Sequence, residues 1–181
     1  LHTVNAHRRL VRKYCFKLGI YRQGLMHDLS KYSPSEFIPG VKYYQDGHRS
    51  PNNAQREDEG VSKAWLHHKG RNKHHFEYWI DYGQEPGSAM QGMKMPVKYV
   101  VEMFCDRVAA CKTYYKENYK DSMPFEYFNK NRKHYMMHPE TMELLGKMLI
   151  MLKRYGEEDT LVYIRERILT GRYPKKTAVK S

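Results

Sequence analysis

The stretch WLHHKGRNKHHFEYW, Trp65 to Trp79, holds four of the chain's ten histidines as two adjacent pairs, His67-His68 and His74-His75. Lys, Gly, Arg and Asn lie between the pairs, the composition of a solvated turn, yet Trp65, Phe76, Tyr78 and Trp79 surround them. A polar loop has no use for four aromatic rings. Val61, Ala64, Trp65 and His68 recur at three and four residues, the spacing of one helix face. A helix is therefore expected to end near Gly70 with His68 toward the core and His67 tilted away. A second helix is expected to restart as KHHFEYWIDY. His74 and His75 both stand at its start, where facing is undefined, so both are candidates.

Helical spacing dominates the rest of the chain. His7, Leu10, Val11, Tyr14, Cys15 and Leu18 define a first helix from about Val4 to Leu18, stopped by Gly19, with His7 on its apolar face. A short helix is expected over RQGLMHDLSKY. Ser33, Pro34 and Glu36 then form a capping box that starts another. DGHRSPNNAQREDEG and GQEPGSAMQG read as exposed loops. Pro96 opens a long helix to about Lys116, with Val97, Val100, Val101, Phe104, Cys105 and Val108 as its core stripe. Two more helices are expected, Pro139 to Tyr155 and Glu157 to Leu169. No segment of real length alternates with period two, so the expected fold is all-α, a compact helical bundle. At 181 residues one domain is the default, spanning about residues 1–170, with a basic, flexible tail over 171–181.

Lys and Arg outnumber Asp and Glu by 32 to 20, a net charge of +12 that attracts anionic partners. No apolar run is long enough to span a bilayer, and the N-terminal stretch lacks the apolar core of a secretory signal. Cys15, Cys105 and Cys111 sit in apolar helical patterns without zinc-finger spacing, as reduced core thiols do. A soluble, cytoplasmic protein is expected, with no membrane partner.

Two further anomalies carry chemistry. His27 and Asp28 stand side by side in an otherwise apolar turn, and adjacent helical residues point about 100° apart, so the two can reach different sides of one ion cluster. Asp106 interrupts the apolar run EMFCDRVAAC. A buried carboxylate is costly unless it is paired or bound to metal. In chain order the candidates are His7, His27-Asp28, His67-His68, His74-His75 and Asp106. Imidazole and carboxylate are the ligands of Mn, Fe, Ni, Co and Zn, and the set exceeds what one ion needs. One or two divalent transition-metal ions are expected, two of them sharing a carboxylate.

This order resembles the HD-domain superfamily of metal-dependent phosphohydrolases, an all-helical fold. The resemblance covers roughly Val4 to Lys116. HDLSK is similar to the family's HD.GK form, with Ser30 where glycine is usual, and CDRVAA resembles the helix that supplies the last Asp. HHFEYW is similar to a segment of HD-GYP phosphodiesterases, but the GYP signature is missing, so hydrolysis of cyclic dinucleotides is not implied. HDLSKYSPSEF with HHFEYW also resembles a small uncharacterised bacterial and phage subfamily, DUF5662-like. The resemblance implies His7, His27, Asp28 and Asp106 as the main metal ligands, with Asp28 the bridge, and one residue from each later His pair for a second ion. His68 is the favoured ligand of its pair, His67 a substrate or supporting contact, and both His74 and His75 are named. Lys31 is implied as a phosphate contact, and Glu77 is a candidate to orient a ligand histidine.

Blander readings stand beside these. His2, His48, His134 and His138 lack such a context and are read as surface residues. Tyr and Lys interleave in KYYQ and KTYYKENYKDSMPFEYF, a pattern that more often marks a half-buried helix face with snorkelling lysines than a nucleic-acid surface. Arg8, Arg9, Arg12 and Lys13 lie on the solvated side of the first helix, an ordinary charged face that could also border an anionic substrate. The expected function is hydrolysis of a nucleotide or other small phosphate ester by a water that the ions deprotonate. The alternatives are an HD-fold di-iron oxygenase and a non-catalytic nucleic-acid-binding module with a structural metal site. Monomer and homodimer both remain open.

Overall fold

Helix α6 (Val97–Tyr115) is the axis of the fold because its stripe is apolar on more than one side: Val100, Val101, Cys105 and Ala109 are fully buried and Phe104 and Val108 nearly so. Pro96, whose missing N–H costs nothing at a helix start, precedes it. One side of α6 packs against α1 (His2–Lys17), which contributes Val11, Tyr14 and Cys15. Another packs against α8 (Pro139–Tyr163), which contributes Leu145, Met148, Leu149 and Leu152. Burying each of these large side chains stabilises the fold by about 1.5–3 kcal/mol. The computed structural model describes residues 2–45 and 50–172. His48 and residues 173–181 of the expected tail lie outside the described residues.

The chain is mostly helical, as its spacing predicts. The expected break between the last two helices occurs inside α8 at Gly156, which takes φ 78° and ψ −179°. Below it the Glu157 carboxylate accepts a hydrogen bond from the Tyr14 hydroxyl at 2.8 Å and pairs with Lys112. A π-helical turn, Ile164–Ile168, follows. The three cysteines are free thiols, two of them buried, and no helix among the described residues is long and apolar enough to cross a membrane.

Several local expectations are corrected. Helix α2 (Tyr21–Met26) stops before the His-Asp doublet, and Leu29–Tyr32 form a separate 3-10 turn. Helix α3 (Pro34–Lys42) begins after Ser33 as expected, but the Ser33 side chain caps nothing, and Glu36 turns inward instead of back to the cap. The expected loop over residues 46–60 contains α4 (Pro51–Glu59), closed by Gly60 at φ 73°. Only Ala54 and Gln55 of α4 are buried, too little apolar surface to leave a periodic signal. After α5 (Lys63–Lys69), the expected helix over residues 73–82 is instead a 3-10 turn, Phe76–Trp79, leading into β1 (Ile80–Tyr82). β1 pairs antiparallel with β2 (Met90–Gly92), Asp81 opposite Gln91, so part of the second expected loop is a short strand. Helix α7 (Met123–Asn131), which takes up the end of the Tyr- and Lys-rich segment, buries Phe128.

Gly24 sets how closely α2 meets α1. A Cβ at this position would lie 2.8 Å from Cys15 Cβ and 3.3 Å from Arg12 Cα. Gly24→Ala is therefore expected to push α2 outward and to lower stability by about 1–3 kcal/mol, the usual cost of overpacking. Chemical denaturation of the two proteins measures it.

Candidate metal centre

The break after α2 creates the site. Asp28 adopts φ 53° and ψ 26°, left-handed geometry that a residue with a Cβ takes at a cost and that Asp and Asn tolerate best. His27 and Asp28 thus leave the helix register, and each is only 1% exposed. The Asp28 carboxylate is enclosed by histidine edges contributed by α1, α5 and the turn before β1. His68 Nε2 lies 3.3 Å and His74 Nε2 3.4 Å from Oδ1, whereas His27 Nε2 and His7 Nε2 lie 3.5 and 4.0 Å from Oδ2. Asp106, on α6, completes the Oδ2 side at 2.9 Å from His7 Nε2 and 3.6 Å from His27 Nε2.

Two groups of donor atoms follow, His7, His27, Asp28 and Asp106 on one side and Asp28, His68, His74 and His75 on the other. Asp28 belongs to both. Donors bound to one ion at about 2.0–2.2 Å stand about 3.0–3.5 Å apart, close to the spacing of these atoms. Both Asp28 oxygens, His74 Nε2 and His75 Nε2 are buried and lack a hydrogen-bond partner. Such orphaned acceptors are expensive in a protein interior, and a shared cation would satisfy them together. The donor set therefore fits divalent metal.

Carboxylates behind the rings fix which nitrogen faces inward. Glu102 Oε1 lies 3.0 Å from His27 Nδ1 and 3.1 Å from His74 Nδ1, and Glu36 Oε2 lies 2.7 Å from His68 Nδ1. A carboxylate accepts only an N–H, so each Nδ1 carries a proton and Nε2 is the nitrogen left to face the centre and take a metal. His27, His74 and Glu102 also form a compact donor group, but these contacts have hydrogen-bond lengths, so Glu102 reads as the support of one histidine on each side of Asp28. Ser30 Oγ sits 3.3 Å from His68 Nδ1 and accepts from the Asn72 amide at 2.8 Å, which gives the serine a place in this network. Trp65 supplies the aromatic wall, its ring 4.9 Å from that of His75 and 5.6 Å from that of His68. The turn between the His pairs is closed by Trp79 Nε1 donating to the Lys73 carbonyl at 2.8 Å.

Electrostatics make protons and metal compete for the same atoms. Burial opposes charge on Asp28 and Asp106, but the facing histidines, with Lys31 beside Asp28, hold both carboxyls well below their ordinary range. Burial likewise opposes charge on His27, yet Asp28, Asp106 and Glu102 raise it to about 10. His7, facing it at 3.4 Å, is lowered by burial, and His75 is lowered strongly by burial and by its His74 and His68 neighbours. The surrounding carboxylates thus favour a second proton on His27, at Nε2, when no metal is bound. The stability that Asp28 and Asp106 contribute is present above the ordinary carboxylate pKa and lost as pH falls through their depressed values. The contribution of His27 is present below the ordinary imidazole pKa and lost as pH rises through about 10. A metal ion must displace the His27 proton, so metal affinity rises with pH.

Other expected site residues fall around this centre. Lys31 Nζ lies 2.6 Å from Asp28 Oδ2, off the angle of a proper hydrogen bond. His67 is outside both donor groups, with Nδ1 2.7 Å from Glu36 Oε1. Glu77 does not orient a histidine: among the described residues it makes no hydrogen bond to one, its Oε2 is buried without a partner, and burial raises its pKa. That supporting role falls to Glu36 and Glu102. Glu102 carries a sequence signal, an acid one turn before Asp106 inside an apolar run. His138 caps α8, its ring nitrogen accepting from Glu140 N, and His134 is exposed.

The profile of a family of unknown function (DUF5662) matches residues 1–151. The chain belongs to this DUF5662 family. The matched segment contains every residue of the two donor groups. No curated protein and no solved structure matches the chain.

For this DUF5662 member, Glu102→Gln keeps the shape of the side chain but weakens its hold on two Nδ1 protons. Metal affinity is expected to fall by about 10–100-fold, the usual effect of losing a supporting hydrogen bond. Competition with a coloured chelator measures this, and in the wild type the same titration should tighten as pH is raised.

Proposed function

We propose that this chain is a divalent-metal-dependent phosphohydrolase of the HD type, acting on a nucleotide or other small phosphate ester. The observation that carries the reading is the Asp28 carboxylate, shared between two donor groups with neither oxygen hydrogen-bonded. The resemblance of the order His7, His27-Asp28, Asp106 to the HD superfamily supports it. Ions held there would supply a deprotonated water as nucleophile and offset charge on the phosphoryl oxygens.

Residue roles follow from exposure. The side chains of His27, Asp28, His68 and His74 are at most 3% exposed, whereas those of His7, Asp106 and Lys31 are 10, 19 and 32% exposed. Substrate approaches over the second set. Lys31 is the ammonium at that opening and holds a phosphoryl oxygen. His7 and Asp106 form the solvent-facing edge of the first donor group, and His27, fixed by Glu102, forms its floor. His68, His74 and His75, walled by Trp65, hold the second group.

The test is reconstitution of chelator-treated protein with Mn, Fe, Ni, Co or Zn, followed by assay against nucleotides and aryl phosphate mono- and diesters. Hydrolysis is expected only with metal. It should fall to background in Asp28→Asn, whose side chain tolerates the left-handed turn. Lys31→Ala should lower kcat by about 10²–10³-fold, the scale of one lost charge-stabilising group. Absence of hydrolysis with every metal would overturn the reading. Tightly bound, magnetically coupled iron in that case would favour the di-iron oxygenase.

A further inference from the structure

The segment His2 to His27 carries six Lys or Arg and no Asp or Glu, half of the chain's net charge of +12. On α1, Asn5, Arg8, Arg9 and Arg12 follow at intervals of three, one and three residues and so share one helix face. That face borders a cleft of about 170 Å³ closed by Gly24 of α2 and by Tyr32. Gly24, which lets α2 approach α1, thereby also fixes the width of the cleft. Arg8 is a wall rather than a free donor: Nε donates to the His27 carbonyl at 2.8 Å and Nη1 to the Tyr32 hydroxyl at 2.9 Å. The Tyr32 hydroxyl in turn donates to Asn5 Oδ1 at 2.6 Å, which leaves the Asn5 amide nitrogen as a donor. Arg9 and Arg12 are exposed and, among the described residues, have no ion-pair partner. Like charges three and four residues apart repel along a helix. An anion between them would remove that repulsion and use the planar donor forks for which guanidinium suits phosphate.

We propose that this cleft is a second ligand site, separate from the metal centre, that binds a phosphate-type oxyanion through Arg9, Arg12 and the Asn5 amide. The two sites meet at His27, which turns its ring to the metal donors and its carbonyl to Arg8. None of the metal-donor side chains lines the cleft. The proposal therefore stands whether or not the centre is hydrolytic.

The test is equilibrium dialysis of labelled inorganic phosphate against chelator-treated, metal-free protein, with Asp28→Asn as a control for residual metal. Saturable binding of one phosphate per chain is expected in both. The double variant Arg9→Ala/Arg12→Ala should bind about tenfold or more weakly, since it loses the charge-assisted donors. Both positions are exposed on a helix where alanine is well accommodated. The milder Arg12→Gln, with helicity followed by circular dichroism, gives the same reading should the double variant be poorly folded. Adenosine monophosphate as competitor identifies the source: equal affinity assigns the site to free phosphate, and tighter binding to the phosphate group of an ester. Absence of saturable binding, or binding unchanged in the arginine variants, would overturn the proposal. So would oligonucleotide binding that strengthens with length while phosphate alone does not bind, which would make this face a nucleic-acid surface.

Discussion

The structure is organised around one buried carboxylate. Asp28 is 1% exposed, sits in left-handed backbone geometry and presents both oxygens to histidine nitrogens, with the Lys31 ammonium against Oδ2. A charge in that setting is stable only if opposite charge is brought to it. Lys31 Nζ supplies it at 2.6 Å from Oδ2, and four elements bring the remaining donor atoms to the same point: α1 brings His7, α5 brings His68, the turn before β1 brings His74 and His75, and α6 brings a second carboxylate, Asp106. Left-handed geometry at a residue with a Cβ is strained, and such strain gathers at functional sites.

The supporting layer ties this centre to the core. Glu102 lies one turn from Asp106 on α6, among residues that pack against α1 and α8. It therefore transmits the position of the most buried helix to one histidine on each side of Asp28. Glu36 does the same for the α5 histidines, and the contact between α3 and α5 is where its two oxygens are divided between His67 and His68. Packing between helices and the aim of the ring nitrogens are thus one constraint.

Much of this was legible in the sequence. The stripes of α1, α6 and α8 are periodic because each buries a broad apolar face, and the break at Gly156 follows from its left-handed φ. The histidine and aspartate donors stood out because polar residues at core spacing require a reason. His68 could be preferred to His67 from helix facing alone. Glu102, like Asp106, interrupts the apolar run of α6, but its task became legible only once the two rings it serves were placed. Glu36 was masked by a competing local pattern: Ser-Pro-x-Glu has the form of a capping box, and only tertiary contact decides that the carboxylate points inward. The same Ser-Pro start, at Ser50-Pro51, and the glycine stop at Gly60 do mark α4. Its apolar face was too small for periodicity to agree. Around the second His pair, tertiary contacts override helical spacing: from a turn rather than a helix, His74 Nε2 reaches Asp28 Oδ1 at 3.4 Å while His75 packs against Trp65 and His68.

The central claim is that Asp28 joins two metal sites. Anomalous diffraction at the metal absorption edge, from crystals of the protein grown with manganese, addresses it directly. Two peaks are expected, one bonded to His7, His27 and Asp106, the other to His68, His74 and His75, with Asp28 bonded to both. A peak elsewhere, a single peak that leaves one Asp28 oxygen uncoordinated, or none at all would contradict it.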